Sequence, residues 1–239
     1  FKNIIFAVDA DRCNGIRQLL TLKNKPKLIL LDDAFQHRKV KAGFYVLLTN
    51  YNNLFVDDFV LPAGNLRESK AAAKRAHIVV VTKCPENLSK TTQYEITKKL
   101  NLAKHQHLFF SFIKYSKNII GNQSQIKLQE LKHYEVLLLT GIAFTKPLLE
   151  FLKVNEIKFK HISFPDHHRF LERDIDLIQF ELNSIIATKK IILTTEKDYV
   201  RLDNSIKKLF NNLFYLPIET VFLSKKSTFD KLIIDYVKS

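Results

Sequence analysis

The chain has 239 residues, 46% of them hydrophobic and 26% charged, which is enough for a sizeable buried core and excludes a disordered or fibrous protein. Its 38 Lys and Arg against 24 Asp and Glu leave a formal charge of +14, pointing to nucleic acid, a phosphorylated ligand or an acidic membrane surface, or else to a plainly solvated basic surface. Cys13 and Cys84 stand far apart with no CxxC partner, which excludes a zinc-ribbon or disulfide framework and fits a reducing setting.

No apolar run nears the roughly 20 residues that span a bilayer, and no signal peptide is visible. The sequence opens on Phe1 and contains no Met, so it is expected to be a piece of a longer protein. IIFAV (4–8) predicts a strand and GIRQLLTLK (15–23) a short amphipathic helix. LILL (28–31) and FYVLLT (44–49) predict two further strands, RESKAAAKRA (67–76) a helix and HIVVVTK (77–83) a fourth strand. SKTTQYEITKKLNL (89–102) predicts a helix with Ser89 as its N-cap. After FFSFIKY (109–115), the polar stretch SKNIIGNQSQ (116–125) reads as a linker.

The pattern then restarts. VLLLTG (136–141), KFKHISF (158–164) and KIILTT (190–195) predict strands. KPLLEFLKVN (146–155), with Pro147 in its first turn, and LERDIDLIQFELNSIIA (171–187) predict helices. FYLPIETVF (214–222) reads as extended and STFDKLIIDYVK (227–238) as an amphipathic helix. Continuous apolar strands alternating with helices predict an α/β fold with a mostly parallel sheet and a second, smaller α/β domain. The expected boundaries are 1–115 and 126–217, with 116–125 and 218–226 as linkers and 227–239 as a C-terminal helix.

In such sheets ligands bind beyond the carboxyl ends of the strands. LILLDDAFQHR (28–38) drives an apolar run into Asp32 and Asp33. That is the form of a Walker B element holding Mg²⁺ at a nucleotide's phosphates, and also the form of an ordinary solvated strand tip. Asp9 and Asp11 make a D-x-D that reads as a metal pair or as a helix cap, and Arg12 beside them suits a phosphate. LPAGNLRES (61–69) puts Arg67 near a helix start, where anions are favoured. FPDHHRF (164–170) groups Asp166, His167 and His168 after a strand, and histidine is the usual acid or base near neutral pH. TTEKDYVRL (194–202) adds Glu196, Lys197 and Asp198, as a surface ion-pair set or as lining of the same cleft. Neither G-x-x-x-x-G-K-[ST] nor G-x-G-x-x-G occurs in the sequence.

DDAFQHR, LPAGNLRES, the GIA of TGIAFTKP, the PDH of FPDHHRF and TTEKD, in that order, together resemble the tetraacyldisaccharide 4′-kinase family, the lipid A 4′-kinases. The similarity runs from about Asp9 to the last strands. The resemblance implies a P-loop-NTPase-like kinase, here with an incomplete N-terminal part, that uses Mg²⁺ and ATP. Its γ-phosphoryl would pass to the 4′-hydroxyl of a tetraacyldisaccharide 1-phosphate, a lipid A precursor, at the cytoplasmic face of the inner membrane. Asp32 and Asp33 match the family's Walker B carboxylates, and Arg12 and Arg67 match arginines that face phosphates. Gln36 and His37 match motif positions near the active site. His167 matches the histidine that helps activate the sugar hydroxyl, with Asp166 beside it, and Glu196, Lys197 and Asp198 match a cleft-lining motif.

Under this reading the partners are the lipid A precursor disaccharide and an anionic membrane surface, and no nucleic acid is expected. The family motif has glycine where this chain has Ala34, so the loop after Asp33 is expected to be less free to take positive φ. The family's P-loop, its membrane-associated segment and the acid that partners the histidine all lie upstream of the matched region, so the chain alone is expected to lack appreciable kinase activity. Two other readings are a basic binding module for nucleic acid or anionic lipid, and a sugar-nucleotide transferase using Asp9 and Asp11.

Overall fold

The computed structural model describes residues 4–122 and 124–239. Two compact units divide the chain, one of Phe1–Ile113 with Thr220–Ser239 and one of Lys114–Glu219.

The first unit begins with helix α1 (Arg12–Thr21), followed by β1 (Val46–Asn50), a 3₁₀ helix at Lys70–Arg75, β2 (Ile78–Thr82), α2 (Lys90–Leu100) and β3 (His107–Tyr115). β1, β2 and β3 pair in parallel, Val46 opposite Ile78 and Ile78 opposite His107. The β-branched run of β2 is buried on both faces, as a central parallel strand requires. Ser89 caps α2 by accepting the Thr92 N–H at 3.0 Å, as its sequence predicts. Ile96 and Leu100 of α2 then pack with Val81 and Phe110 on one face of the sheet.

The second unit holds β4 (Asn118–Gly121), β5 (Gln125–Lys127), a 3₁₀ helix at Leu128–His133, β6 (Glu135–Thr140), α3 (Lys146–Val154), β7 (Phe159–Ser163), α4 (Glu172–Ser184), β8 (Lys190–Thr195), α5 (Glu196–Arg201), α6 (Asn204–Leu209) and β9 (Leu213–Leu216). Its six strands run in the order β5-β4-β9-β8-β6-β7. β6 is flanked in parallel by β7 and β8, while β4 and β5 are antiparallel additions. Side chains alternate along β6: Val136 and Leu138 join one core with Leu148 and Leu152 of α3, and Leu137 and Leu139 join the opposite core with Ile178 and Leu182 of α4.

The chain returns to the first unit through β10 (Ile218–Phe222), which lies beside β3, and α7 (Lys226–Lys238). Phe229, Leu232 and Ile233 of α7 cover Ile78, Val80 and Phe109 on the second face of that sheet.

Several expected elements differ. Residues 4–8 and 28–31 form no strand. Phe6, Val8 and Leu30 are 88%, 85% and 90% exposed, and β1 is the sheet edge. An apolar run becomes a strand only where a neighbour takes its N–H and C=O groups, and neither run has one among the described residues. The expected helix at 67–76 is a short 3₁₀ turn. The stretch 116–125, read as a linker, contains β4, which pairs with β5 around the fully buried Ile119. Residues 218–222 of the second expected linker are β10.

Two measurements check this arrangement. Leu138→Ala, at a fully buried position, is expected to lower the unfolding free energy by about 2–5 kcal/mol. Leu30→Ala should change it by less than about 0.5 kcal/mol in the same denaturant titration, whereas a larger loss would mean that 28–31 is packed in a sheet. Burial pushes the Cys84 thiol up to about 11, so it should resist alkylation at pH 8 in the native chain while the less buried Cys13 reacts.

Candidate active site

In the first unit two loops meet at a cleft of about 860 Å³, lined by Asp32, Asp33 and Gln36 from one and by Asn65, Arg67 and Glu68 from the other. Asp32 and Asp33 are both exposed. The Arg67 guanidinium stands 3.9 Å from the Asp33 carboxylate. Asp33 adopts a left-handed backbone (φ 44°), which aspartate tolerates better than most residues. The loop takes its positive φ at Asp33 itself, and Ala34, where the loop is expected to be less free to adopt one, has none. Gln36 donates its side-chain amide to the Asp33 carbonyl at 3.2 Å, and the His37 N–H closes a turn on the Ala34 carbonyl at 2.9 Å.

The group that joins the two loops is Arg75. It donates to both Glu68 carboxylate oxygens at 3.0 Å and to the Phe35 carbonyl at 2.9 Å, with its guanidinium 4.7 Å from the Phe35 ring centre. The Glu68 hydrogen bond raises the Arg75 pKa, so this pair stays charged. Glu68 and Arg75 are seven positions apart across a loop and a 3₁₀ turn, a spacing that carries no helical pairing signal.

Asp9 and Asp11 are occupied locally. Asp11 caps α1, accepting the Cys13 and Asn14 N–H groups at 2.9 and 3.3 Å. Asp9 accepts the Asp11 N–H at 2.8 Å and the Asn14 side-chain amide at 2.7 Å. This is the helix-entry role, and it leaves the transferase reading without a free carboxylate pair. Arg12 turns one guanidinium N–H back onto the Asp9 carbonyl.

In the second unit the chain runs from β6 to β7 on one side and then crosses to β8 on the other. The carboxyl ends of these strands therefore frame a switch-point crevice. Asp198 is fully buried there. It accepts the Gly141 N–H at 2.9 Å, just past β6, and the Thr195 hydroxyl at 2.7 Å, at the end of β8. A Cβ on Gly141 would come within 3.0 Å of the Asp198 carboxylate. Thr195 also accepts the Asp198 N–H at 3.1 Å, so TTEKD joins the end of β8 to α5, with Thr195 as the helix N-cap. Of that motif, Asp198 is internal, Glu196 is exposed and Lys197 reaches Asp166 at 3.1 Å.

His167 follows β7 in a left-handed conformation (φ 60°). Arg201, one turn beyond Asp198, donates to His167 Nδ1 at 2.8 Å. A guanidinium only donates, so Nδ1 holds the lone pair and Nε2 the proton. Nε2 faces the Asp166 carboxylate at 3.5 Å, and Asp166 also accepts the His167 N–H at 3.0 Å. The hydrogen bond from Lys197 holds the Asp166 carboxyl below its usual range, with His167 adding to the effect. His168 instead points inward, bonded to Asp174 at 2.8 Å and stacked on Phe164. Asp174 accepts the Leu171 N–H at 2.8 Å, which makes His168 a structural residue at the start of α4.

The family model described as tetraacyldisaccharide-1-P 4′-kinase (LpxK) matches residues 1–238. The chain is similar to the tetraacyldisaccharide 4′-kinase of Flavobacterium johnsoniae, 52% identical over 238 residues, covering 100% of this chain and 67% of that protein. The protein of that name from Bacteroides thetaiotaomicron is 41% identical over 253 residues, covering 100% and 67%. The fold is similar to the crystal structure of LpxK from Aquifex aeolicus in complex with ATP, with a TM-score of 0.62 and 26% identity, covering 92% of this chain and 60% of that one. The chain thus spans about two thirds of the length of the curated relatives. The expected P-loop-NTPase-like, mostly parallel α/β fold agrees with this likeness.

Lys197→Met should raise the Asp166 carboxyl pKa, read as a shift of its ¹³C titration toward higher pH. An unchanged titration would show that Lys197 does not contact Asp166 in solution.

Proposed function

The chain belongs to the tetraacyldisaccharide 4′-kinase family, and from that premise we propose that its protein transfers the γ-phosphoryl of ATP to the 4′-hydroxyl of a tetraacylated disaccharide 1-phosphate in lipid A synthesis. The observation that carries the reading is the whole-chain family match, joined to a cleft lined by Asp32 and Asp33 in which Arg67 stands 3.9 Å from Asp33.

Asp32 and Asp33 fit a magnesium ion. Their oxygens are hard donors, both side chains are exposed, and magnesium needs only one or two carboxylates beside phosphate oxygens and waters. When bound, that ion neutralises charge on the phosphates. Arg67 binds a phosphate group from the same cleft, and Arg12 keeps guanidinium donors free beyond the one spent on the Asp9 carbonyl. Phosphoryl transfer asks the protein mainly for such positioning and charge neutralisation.

His167 supplies the base. Its Nδ1 takes the 4′-hydroxyl proton once Arg201 yields that lone pair, while the hydroxyl oxygen bonds to the γ-phosphorus and the β,γ-bridging bond breaks. The imidazolium so formed lies beside Asp166, whose carboxylate Lys197 keeps ionised. Asp198 positions this group through Thr195 and the α5 turn that presents Arg201 and Lys197, and Glu196 faces solvent on that turn. Gln36 and His37 shape the turn that aims Asp32 and Asp33.

No helix among the described residues is long and apolar enough to cross a membrane. The proposed setting is the cytoplasmic face of the inner membrane, where an anionic surface matches the net charge of +14.

The test is ATP-dependent phosphorylation of the disaccharide by the complete protein. His167→Ala should lower kcat by about 10²–10⁴-fold with little change in the KM for lipid, and an unaltered kcat would remove His167 from the role. Asp33→Asn should raise the Mg²⁺ concentration needed for half-maximal rate. An unchanged Mg²⁺ requirement would assign the metal to other residues.

A further inference from the structure

Beside the cleft, residues 58–66 close into a self-contained loop whose tip is apolar. Phe59, Val60 and Leu61 are 63%, 42% and 60% exposed, and Pro62 and Ala63 complete the run. The loop is built to hold these side chains outward. Leu66 donates to the Phe59 carbonyl and Leu61 to the Leu66 carbonyl, both at 3.0 Å, and Ala63 donates to the Val60 carbonyl at 3.1 Å. Asp58 turns its carboxylate inward to accept the Phe59 and Asn65 N–H groups at 2.8 and 3.1 Å. Gly64 makes this closure feasible, since a Cβ there would lie 2.3 Å from both the Asp58 carboxylate and the Phe59 carbonyl.

The tip's polar groups are thereby reduced. The N–H groups of Phe59, Leu61 and Ala63 are bonded within the loop, and Pro62 has none. The N–H groups bonded within the loop need not lose water when the tip enters a lipid interface. The charge around its base has the complementary sign. Lys70 sits 5.0 Å over the Phe59 ring and bonds the Val56 carbonyl at 2.6 Å, and no carboxylate pairs with it among the described residues. Arg67 follows the loop directly. The nearby acids are engaged: Asp57 with Lys99 at 2.8 Å, Asp58 inside the loop and Glu68 with Arg75.

We propose that the 58–66 loop is a membrane-docking element, with Phe59, Val60 and Leu61 entering the acyl region of an anionic bilayer and Lys70 lying at its phosphate groups. This rests on the kinase reading and deepens it, because the same loop carries Arg67 into the cleft that holds Asp32 and Asp33. A lipid whose acyl chains stay in the bilayer would then present its headgroup at that cleft.

The chain contains no Trp, so Leu61→Trp makes a single fluorescent reporter at the tip. With vesicles of phosphatidylethanolamine and phosphatidylglycerol its emission should shift to the blue and become shielded from acrylamide. Phosphatidylcholine vesicles should give a far weaker response. The Phe59→Ser/Leu61→Ser double variant, with unchanged circular dichroism, should lose about tenfold or more in vesicle affinity, and Lys70→Gln about fivefold. The proposal is overturned if the L61W reporter keeps a solvent-exposed spectrum on sedimenting vesicles, if the double variant binds as the parent does, or if the blue shift follows protein concentration without lipid, the mark of a protein partner. Phosphorylation of detergent-dispersed disaccharide separates the two readings. With the substitutions placed in the complete protein, its retention by the double variant is expected here, and its absence from the unsubstituted complete protein would overturn the kinase reading alone.

Discussion

A carboxylate with no exposure to water is costly unless every oxygen is matched by donors, and Asp198 of the second unit is such a group. Its partners come from both near and far in the chain. The Gly141 N–H comes from the end of β6, the Thr195 hydroxyl from the end of β8, and Arg201 approaches at 3.5 Å from the far end of α5. Satisfying one buried charge therefore fixes two strand ends and a helix start together. Arg201 is then held where its second amino group meets His167. The exposed chemistry of this unit is aimed by a group that itself never meets solvent.

The first unit uses the opposite sign for the same task. Arg75 is planar and always charged, with donors arranged as a fork. It spends two on Glu68 and one on the Phe35 carbonyl, and lays its face on the Phe35 ring. Asp32 and Asp33 precede that ring by a few residues, and Arg67 adjoins Glu68. Neither loop contains regular secondary structure of its own. The clamp substitutes for it, holding carboxylates and a guanidinium in one cleft without burying them. Lysine at 75 would keep the charge and lose the fork.

Much of this was legible beforehand, and the exceptions have physical causes. β2, β6 and β8 are continuous β-branched or leucine runs, and α2 carries its own cap in Ser89, so period and capping sufficed. The runs at 4–8 and 28–31 have the same composition, but a strand is a property of a pair, and the sequence of one run does not name its partner. SKNIIGNQSQ looked like a linker because its polar residues outnumber Ile119 and Ile120, yet one buried isoleucine is enough to seat a short hairpin. At the candidate site, the residue types at 32, 33, 67, 166 and 167 announced themselves. The groups that position them did not: Arg75 is remote from Phe35 in sequence, and Arg201 is readable only once Thr195 and Asp198 are seen as a helix cap.

Asp33 and His167 share a backbone property that bears on how this protein is maintained. Both hold left-handed dihedrals, φ 44° and φ 60°, where a side chain costs roughly 1–2 kcal/mol that glycine avoids. A glycine at either place would relax the loop and remove the functional group with it. On folding stability alone glycine would be favoured at these two positions, so the aspartate and the histidine are kept at a cost to the fold. Lys83, Asn101, Glu156 and Lys225 carry the same backbone cost, so the protein keeps a little less stability than its fold allows, and part of that cost falls in the two loops that hold Asp33 and His167.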